Sequence, residues 1–417
     1  MREAIKEVKV VAVNTVWMLT AQLLRVTLQG VYFVVVARAL GAEAFGSFVS
    51  VLALVGILVP FAGLGFGSLI VKNVAQDRNA MQSSCGNMLF MVGVSGSALV
   101  LLALLLKPFF IAGEISVWVL FAVALSDLIL TKIVFASGLA FQAVERLSKT
   151  SVIFVSLFAA RTLAALLMLR FVPNPTVLTW SIFYGAGTVV TALLAMFFAY
   201  RSFGRPCLDL SRLREELAEG FFFSASMSGQ VINNNMDKIM LGRMATLSAT
   251  GIYGAAYRLI DVSMVPIRAL LQATYARFFK YGKHGIQGSL KMGARLAPIA
   301  GIFGFVAMIC IYLAAPVVPY VLGDEYAASV AALRWLAPIP FFKSLHFVAS
   351  DTLSGASLQK LRSSVIFVAA GFNVVLNIWL IPLYSWRGAA WSSLAADGLL
   401  MVGLWVIVLR HYRKSRA

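Results

Sequence analysis

Acidic residues are what this chain has least of. Seventeen Asp and Glu stand against 35 Lys and Arg, and charges of both signs occupy only 12% of the 417 positions. Cysteine is scarce too. Cys85, Cys207 and Cys310 offer neither a disulfide framework nor metal-ligand spacing. The three histidines, His284, His346 and His411, are scattered too widely for a ligand set. No metal, no cofactor and no catalytic set is therefore expected. His346 stands near the Lys343 end of its helix with no acid beside it in the sequence. The N-terminus, MREAIKEVKVVAV, lacks a short apolar core followed by a small-residue cleavage site. It reads as a charged helix entering a full-length span rather than a signal peptide.

What is present is hydrophobicity. Hydrophobic residues make up 60% of the chain and the mean hydropathy is +0.88, which excludes a soluble domain. At about 20 apolar residues per crossing, roughly a dozen helices would use somewhat more than half the chain. The class is an all-α polytopic membrane protein. The formal charge of +18 would suggest nucleic acid in a soluble protein. Here it follows from basic residues crowding cytoplasmic loops, and no nucleic-acid partner is expected.

The distribution of basic residues supports that reading. With the N-terminus inside and twelve spans, 22 of the Lys and Arg fall on inner segments, five on outer segments and eight within spans. The asymmetry places both termini in the cytoplasm. The expected organisation is a six-helix lobe over 1–200, a cytoplasmic linker over 201–220 and a second six-helix lobe over 221–417.

One stretch is out of keeping with its surroundings. Residues 230–268 read QVINNNMDKIMLGRMATLSATGIYGAAYRLIDVSMVPIR. On a helix, Gln230, Asn233, Asn234 and Asp237 share one face, and Arg258, Asp261, Val265 and Arg268 share another. An arginine at bilayer depth costs about 2.5–3.5 kcal/mol on insertion scales, so such stripes must line water or pair inside the protein. The first helix has a similar stripe of Asn14, Gln22, Arg25 and Gln29. Amides at such positions also serve as polar contacts between helices. Asp261 is the near acid for Arg258, three residues away, whereas Arg25 and Arg268 have no such neighbour. Arg161 also lies deep in a span. The in-span acids Asp127, Asp237, Asp261 and Asp351 are candidates for proton or sodium coupling, or else fixed partners of neighbouring bases, with Asp127 and Asp351 the least obviously paired.

The two halves carry a weak repeat. LGAEAFGSF at 40–48, followed by Pro60, matches LGRMATLSATGIYG at 241–254, followed by Pro266. At this offset Gln29 aligns with Gln230, so the repeat is parallel. Each proline sits inside an expected span, where it removes a backbone hydrogen bond. GLGFG, with Gly63, Gly65 and Gly67, lacks the spacing and the preceding strand of a nucleotide loop. It reads as close helix packing through Gly63 and Gly67.

Residues 37–72, ARALGAEAFGSFVSVLALVGILVPFAGLGFGSLIVK, resemble the first signature of the polysaccharide-biosynthesis flippases. These are the O-antigen and repeat-unit translocases of the multidrug/oligosaccharidyl-lipid/polysaccharide exporter superfamily. Residues 237–278 resemble that family's opening of the second lobe, departing from its usual proline-arginine at Ala276-Arg277. The resemblance implies a MATE-like, V-shaped pair of six-helix lobes in a bacterial cytoplasmic membrane. It implies an undecaprenyl-diphosphate-linked oligosaccharide as cargo, moved from the inner to the outer leaflet by alternating access. A polysaccharide polymerase, a chain-length regulator, membrane lipid and a coupling ion, H+ or Na+, are the implied partners. A positive excess within the spans suits a diphosphate, because guanidinium forks match phosphate oxygens. Arg25, Gln22, Gln29, Arg161, Arg258, Arg268, Gln230, Asn233 and Asn234 are the candidate cargo contacts. A multidrug antiporter of the same superfamily would need an acidic cavity. A membrane glycan-assembly enzyme would need a large outer loop or a buried His with an acid partner. A scaffold for glycan assembly is the third alternative.

Overall fold

The computed structural model describes residues 2–282 and 285–415. Lys283, His284 and Arg416, counted above among the loop residues, lie outside them, as does the side chain of Asn14. Every regular element among the described residues is helical. In order they are α1 (Arg2–Leu58), α2 (Phe66–Gln76), α3 (Met81–Phe110), α4 (Val117–Leu125), α5 (Thr131–Ala143), α6 (Leu147–Phe171), α7 (Val177–Phe203) and α8 (Leu210–Met244). There follow α9 (Leu247–Ser263), α10 (Val265–Gly282), α11 (Gly285–Ala314), α12 (Val318–Leu322), α13 (Ala328–Leu336), α14 (Ile339–Gly355), α15 (Gln359–Tyr384) and α16 (Trp386–Lys414). The chain divides into two compact units. Unit 1 is Met1–Leu40 with Val51–Ser228, and unit 2 is Gly41–Ser50 with Gly229–Ala417.

Among the described residues eight stretches are long and apolar enough to cross a membrane, making this a multi-pass membrane protein. The first, Thr20–Phe61, holds two of the expected spans, joined at Gly41. Three expected spans fall short. Those over 248–274 and 328–357 are broken, at Met264 and at Ala337–Pro338, and the span over 221–243 is thick with polar residues. The shortfall therefore marks the irregular, polar helices rather than missing ones. Large apolar side chains stand exposed on the long helices: Leu105, Phe171 and Leu313 are each 71% accessible. In water that surface would drive aggregation; in lipid it is the required exterior.

Unit 1 packs α2, α3 and α5 around Phe66, Leu69, Met88 and Met91, and α5, α6 and α7 around Phe141, Ile153, Leu157 and Ala192. The segment 201–220, expected as a linker, is tied into this unit, its first three residues ending α7. Asn87 donates to the Asp209 carbonyl at 3.0 Å and accepts the Asp209 amide at 2.9 Å, and Asn73 donates to Glu216 at 2.8 Å. The GLGFG stretch is a turn that leads into α2. Gly63 and Gly65 have φ of 77° and 70°, so the chain leaves the helix at Pro60 and restarts at Phe66. Gly63 and Gly65 are needed for positive φ, while Gly67, inside α2, keeps the expected close packing: a Cβ there would meet the Leu139 side chain at 2.9 Å.

Unit 2 packs α10, α11 and α14 around Met264, Ile267, Leu271, Leu296 and Val348. It also contains the repeat. A Cβ at Gly46 would overlap the Leu247 carbonyl, and one at Gly251 would overlap the Ala42 carbonyl. The two copies of the Leu-Gly motif thus pack on each other through their small residues, the usual means of bringing two helix backbones together in a membrane. Gly41 turns the chain with φ 73°, and the freed Ala42 amide donates to Glu325 at 2.9 Å. Burial, then the Glu325 carboxylate, raise the neighbouring Tyr326 phenol well above its usual range, so it stays neutral.

Candidate functional site

The polar residues of the spans collect into one cluster in each unit. In unit 1, α4 does not run directly into α5. A single wider π turn, Ser126–Leu130, intervenes and carries Asp127. Asp127 accepts from Arg161 of α6 at 2.7 Å, from the Tyr184 hydroxyl of α7 at 2.9 and 3.0 Å, and from Thr131 at 3.2 Å. Arg161 also donates to Thr131 at 2.9 Å and to Thr188 at 3.4 Å, and its guanidinium lies 3.9 Å from the Tyr184 ring centre. Arg161 is 6% exposed. Asp127, with no obvious partner in its own helix, therefore has a saturated one across the unit, and Arg161 is turned into the protein.

In unit 2 the centre is Asp237 on α8, wholly buried. It accepts from the Tyr253 hydroxyl of α9, from Ser393 of α16 at 3.3 Å, and faces Lys238 at 3.5 Å. Lys238 in turn donates to the Asn234 carbonyl and lies 4.0 Å from the Tyr257 ring centre. Lys343 of α14 is 1% exposed. It donates to the Tyr257 hydroxyl at 2.7 Å and to Asn234 Oδ1 at 3.3 Å. Among the described residues no carboxylate lies within ion-pair distance of it. Gln230 donates to the same Asn234 oxygen at 3.4 Å. Asn233 is buried and its Oδ1 has no partner among the described residues.

The stripe expected on helix 8 is rearranged. Pro266, second residue of α10, supplies no N–H, and α9 ends at Ser263. Across that break Asp261 pairs with Arg268 at 3.2 Å, not with Arg258, and both side chains are well exposed, 36% and 47%. The expected Arg258–Asp261 pair, and an Arg268 without an acid, are both corrected. Arg258 is half-buried and makes no ion pair among the described residues. In unit 1, Arg25 is half-buried with its guanidinium 5.7 Å from the Phe158 ring centre, and Gln22 and Gln29 are half-buried on the same helix. Asp351 is half-buried and makes no hydrogen bond among the described residues.

Several groups were not singled out from the sequence: Tyr184, Tyr253, Tyr257, Ser393 and Asp397. An i, i+4 pair of Ser393 and Asp397 on an otherwise apolar helix was the available signal. His346 also needs correction. Asp397 of α16 stands 3.6 Å from its Nε2, and both residues are 2% exposed.

Comparison with known proteins fits this arrangement. A sequence profile of the family described as polysaccharide biosynthesis protein matches residues 11–281. The Escherichia coli (strain K12) protein named "Putative O-antigen transporter" is 26% identical over 210 residues, 50% of this chain and 50% of that protein. The match thus spans half the length of that relative. Among solved structures, an inward-facing multidrug resistance MATE family transporter of the MOP superfamily superposes with TM-score 0.77 at 15% identity, covering 94% of this chain and 96% of that one. The lipid II flippase MurJ, in an inward closed conformation, gives TM-score 0.70 at 11% identity, covering 95% and 87%. At such identities the structural likeness establishes the fold.

Proposed function

The chain belongs to the polysaccharide biosynthesis protein family, and on that premise we propose that it is a flippase for a lipid-linked oligosaccharide. The cargo is an oligosaccharide on undecaprenyl diphosphate, carried from the inner to the outer leaflet of a bacterial cytoplasmic membrane by alternating access. Residues 1–200 and 221–417 act as its two six-helix repeats, with both termini in the cytoplasm. The observation that carries the reading is the family match over more than half of the chain. The chemistry of the spans supports it, because their basic residues outnumber their acids and suit an anionic diphosphate better than a cationic drug.

Not every in-span base is available to cargo. Arg161 is buried and saturated by Asp127, so it holds unit 1 together. Arg25, Arg258 and Arg268 keep accessible surface. With Gln22, Gln29 and Gln230 they are the cargo contacts we assign. Asp351, a half-buried acid that makes no hydrogen bond among the described residues, is a candidate for coupling to H+ or Na+. An enzyme reading gains nothing from His346 and Asp397, since at 2% exposure neither reaches a substrate.

Complementation of a translocase-null strain tests the proposal. Arg25→Ala and Arg268→Ala should lose surface glycan at matched membrane expression, and Arg→Lys should rescue in part, because lysine keeps the charge without the fork. Wild-type glycan from both alanine variants would place the diphosphate elsewhere. Reporter fusions after residues 212 and 284 should both read cytoplasmic.

A further inference from the structure

His346 and Asp397 form a couple that nothing above uses. His346 Nε2 and Asp397 Oδ1 face each other at 3.6 Å, too far for a hydrogen bond. Each atom is buried and has no hydrogen-bond partner among the described residues. Leaving such buried atoms unsatisfied is costly. A carboxylate oxygen can only accept, and an imidazole nitrogen without a proton can only accept as well. A neutral ring that carries its proton on Nε2 gives Asp397 a donor but leaves the buried carboxylate without a counter-charge, which a second proton on the ring supplies. With both ring nitrogens protonated the ring is an imidazolium, and its Nε2–H donates to Asp397 in a charge-assisted bond.

The surroundings make the site responsive. On α16, Asp397 lies one turn from Ser393, which bonds Asp237 and Tyr253. On α14, His346 lies one turn from Lys343, which bonds Tyr257 and Asn234. The charged groups of this network are Asp237 and Lys238 from α8, Lys343 from α14 and Asp397 from α16, with the phenols Tyr253 and Tyr257 from α9. Two carboxylates balance two ammonium groups while the imidazole is neutral. The other neighbours of α14 bring no charge to this level. Opposite Ser344 and Leu345, α11 presents Gly304 and Gly301. From α10, Ile267 and Leu271 pack around Val348. From α15, Arg362 bonds Ser354, two turns along α14, and faces the Asp351 carboxylate, more than one turn from His346. Arg268 and Asp261, beside Tyr257, are paired with each other. One proton on His346 therefore changes the net charge of the buried network by a full unit and ties Asp397 to α14.

We infer that His346 and Asp397 form a proton-binding site in unit 2, through which a pH gradient acts on transport. The role in transport rests on the flippase reading; the proton binding does not, and two experiments separate them. With His284 and His411 replaced by glutamine, His346 is the single histidine of the chain. Nitrogen-15 NMR of that protein in lipid nanodiscs then reads its imidazole directly. Between about pH 5.5 and pH 8.5, the range over which histidines change charge, the resonances should pass from the neutral to the protonated pattern. In Asp397→Asn that passage should be displaced along the pH axis. An imidazole that keeps one pattern throughout in the wild-type pair, or is indifferent to Asp397→Asn, overturns the site. In proteoliposomes, movement of a fluorescent prenyl-diphosphate-linked disaccharide should respond to an imposed pH gradient in the wild type. It should lose most of that response in His346→Gln and in Asp397→Asn, with probe binding kept. An undiminished response in both variants overturns the coupling role. No movement in the wild type under any gradient would instead sink the flippase reading, leaving the NMR result to stand for the proton site.

Discussion

The two units bury charge in opposite ways. In unit 1 a single acid and a single base close on each other, and every near neighbour of Asp127 (Tyr184, Thr131, Arg161) donates to it. In unit 2 five ionisable groups share one interior. Lys343 is held by a phenol and an amide alone, while His346 and Asp397 face each other unbonded. A saturated pair has one stable arrangement and works as a fastening. An interior with unsatisfied acceptors and an ammonium lacking a direct counter-charge has several of similar energy, differing by a proton or an anion. The contrast separates the polar residues that hold the fold from those free to change state.

The largest expected effect tests the fastening. Arg161→Met strands a buried carboxylate and should cost about 3–5 kcal/mol of stability, whereas adding Asp127→Leu should restore most of it. Denaturant unfolding in detergent reads both, and a single-variant loss below about 1 kcal/mol would erase the contrast. In unit 2, Lys343→Met removes a charged hydrogen bond without leaving a paired acid behind. Its loss should be smaller, about 1–2 kcal/mol, and the damage should show in transport. A loss equal to that of Arg161→Met would mean that Lys343 neutralises a carboxylate after all.

The acids sharpen the comparison further. Asp127→Asn should lower the unfolding temperature, because Arg161 loses its counter-charge and one acceptor oxygen becomes an NH2 donor facing other donors. Asp351→Asn should leave that temperature nearly unchanged and slow turnover in vesicles. Equal melting shifts for the two would show that Asp351 is also a fastening. The smallest effect belongs to the exposed pair of Asp261 and Arg268. Asp261→Ala should cost only about 0.2–1 kcal/mol, and added salt should shrink the difference. A salt-independent loss would place that pair out of contact with water.

Much of this was legible before any coordinates. Long apolar runs fix helices in a membrane because the backbone has no other way to satisfy its hydrogen bonds there. The polar faces of 230–268 and the Leu-Gly repeat depend only on the period of the helix. The in-span acids and bases could be counted directly. Pairing was less legible. Arg258 and Asp261 looked like partners at i, i+3, but Pro266 interrupts the backbone and α9 ends before the expected stripe is complete. Gly63 was read as a packing residue because spacing reports small size, while the positive φ that it and Gly65 adopt is a property of the folded chain.

The sequence by itself determined the environment, the helical class and the positions at which charge enters the membrane, since these follow from composition and from neighbours a few residues away. Only the tertiary structure decided which charge meets which. Asp127 finds Arg161 on α6, Lys343 finds Tyr257 on α9, and His346 faces Asp397 on α16. Each partner sits on another helix, and its depth and rotation are set by the close packing of small residues such as Gly251 against Ala42 and Gly304 against Phe341. Charge in a low-dielectric interior is governed by distances of a few ångströms. Those distances are fixed by how helices pack, which helical periodicity alone does not encode.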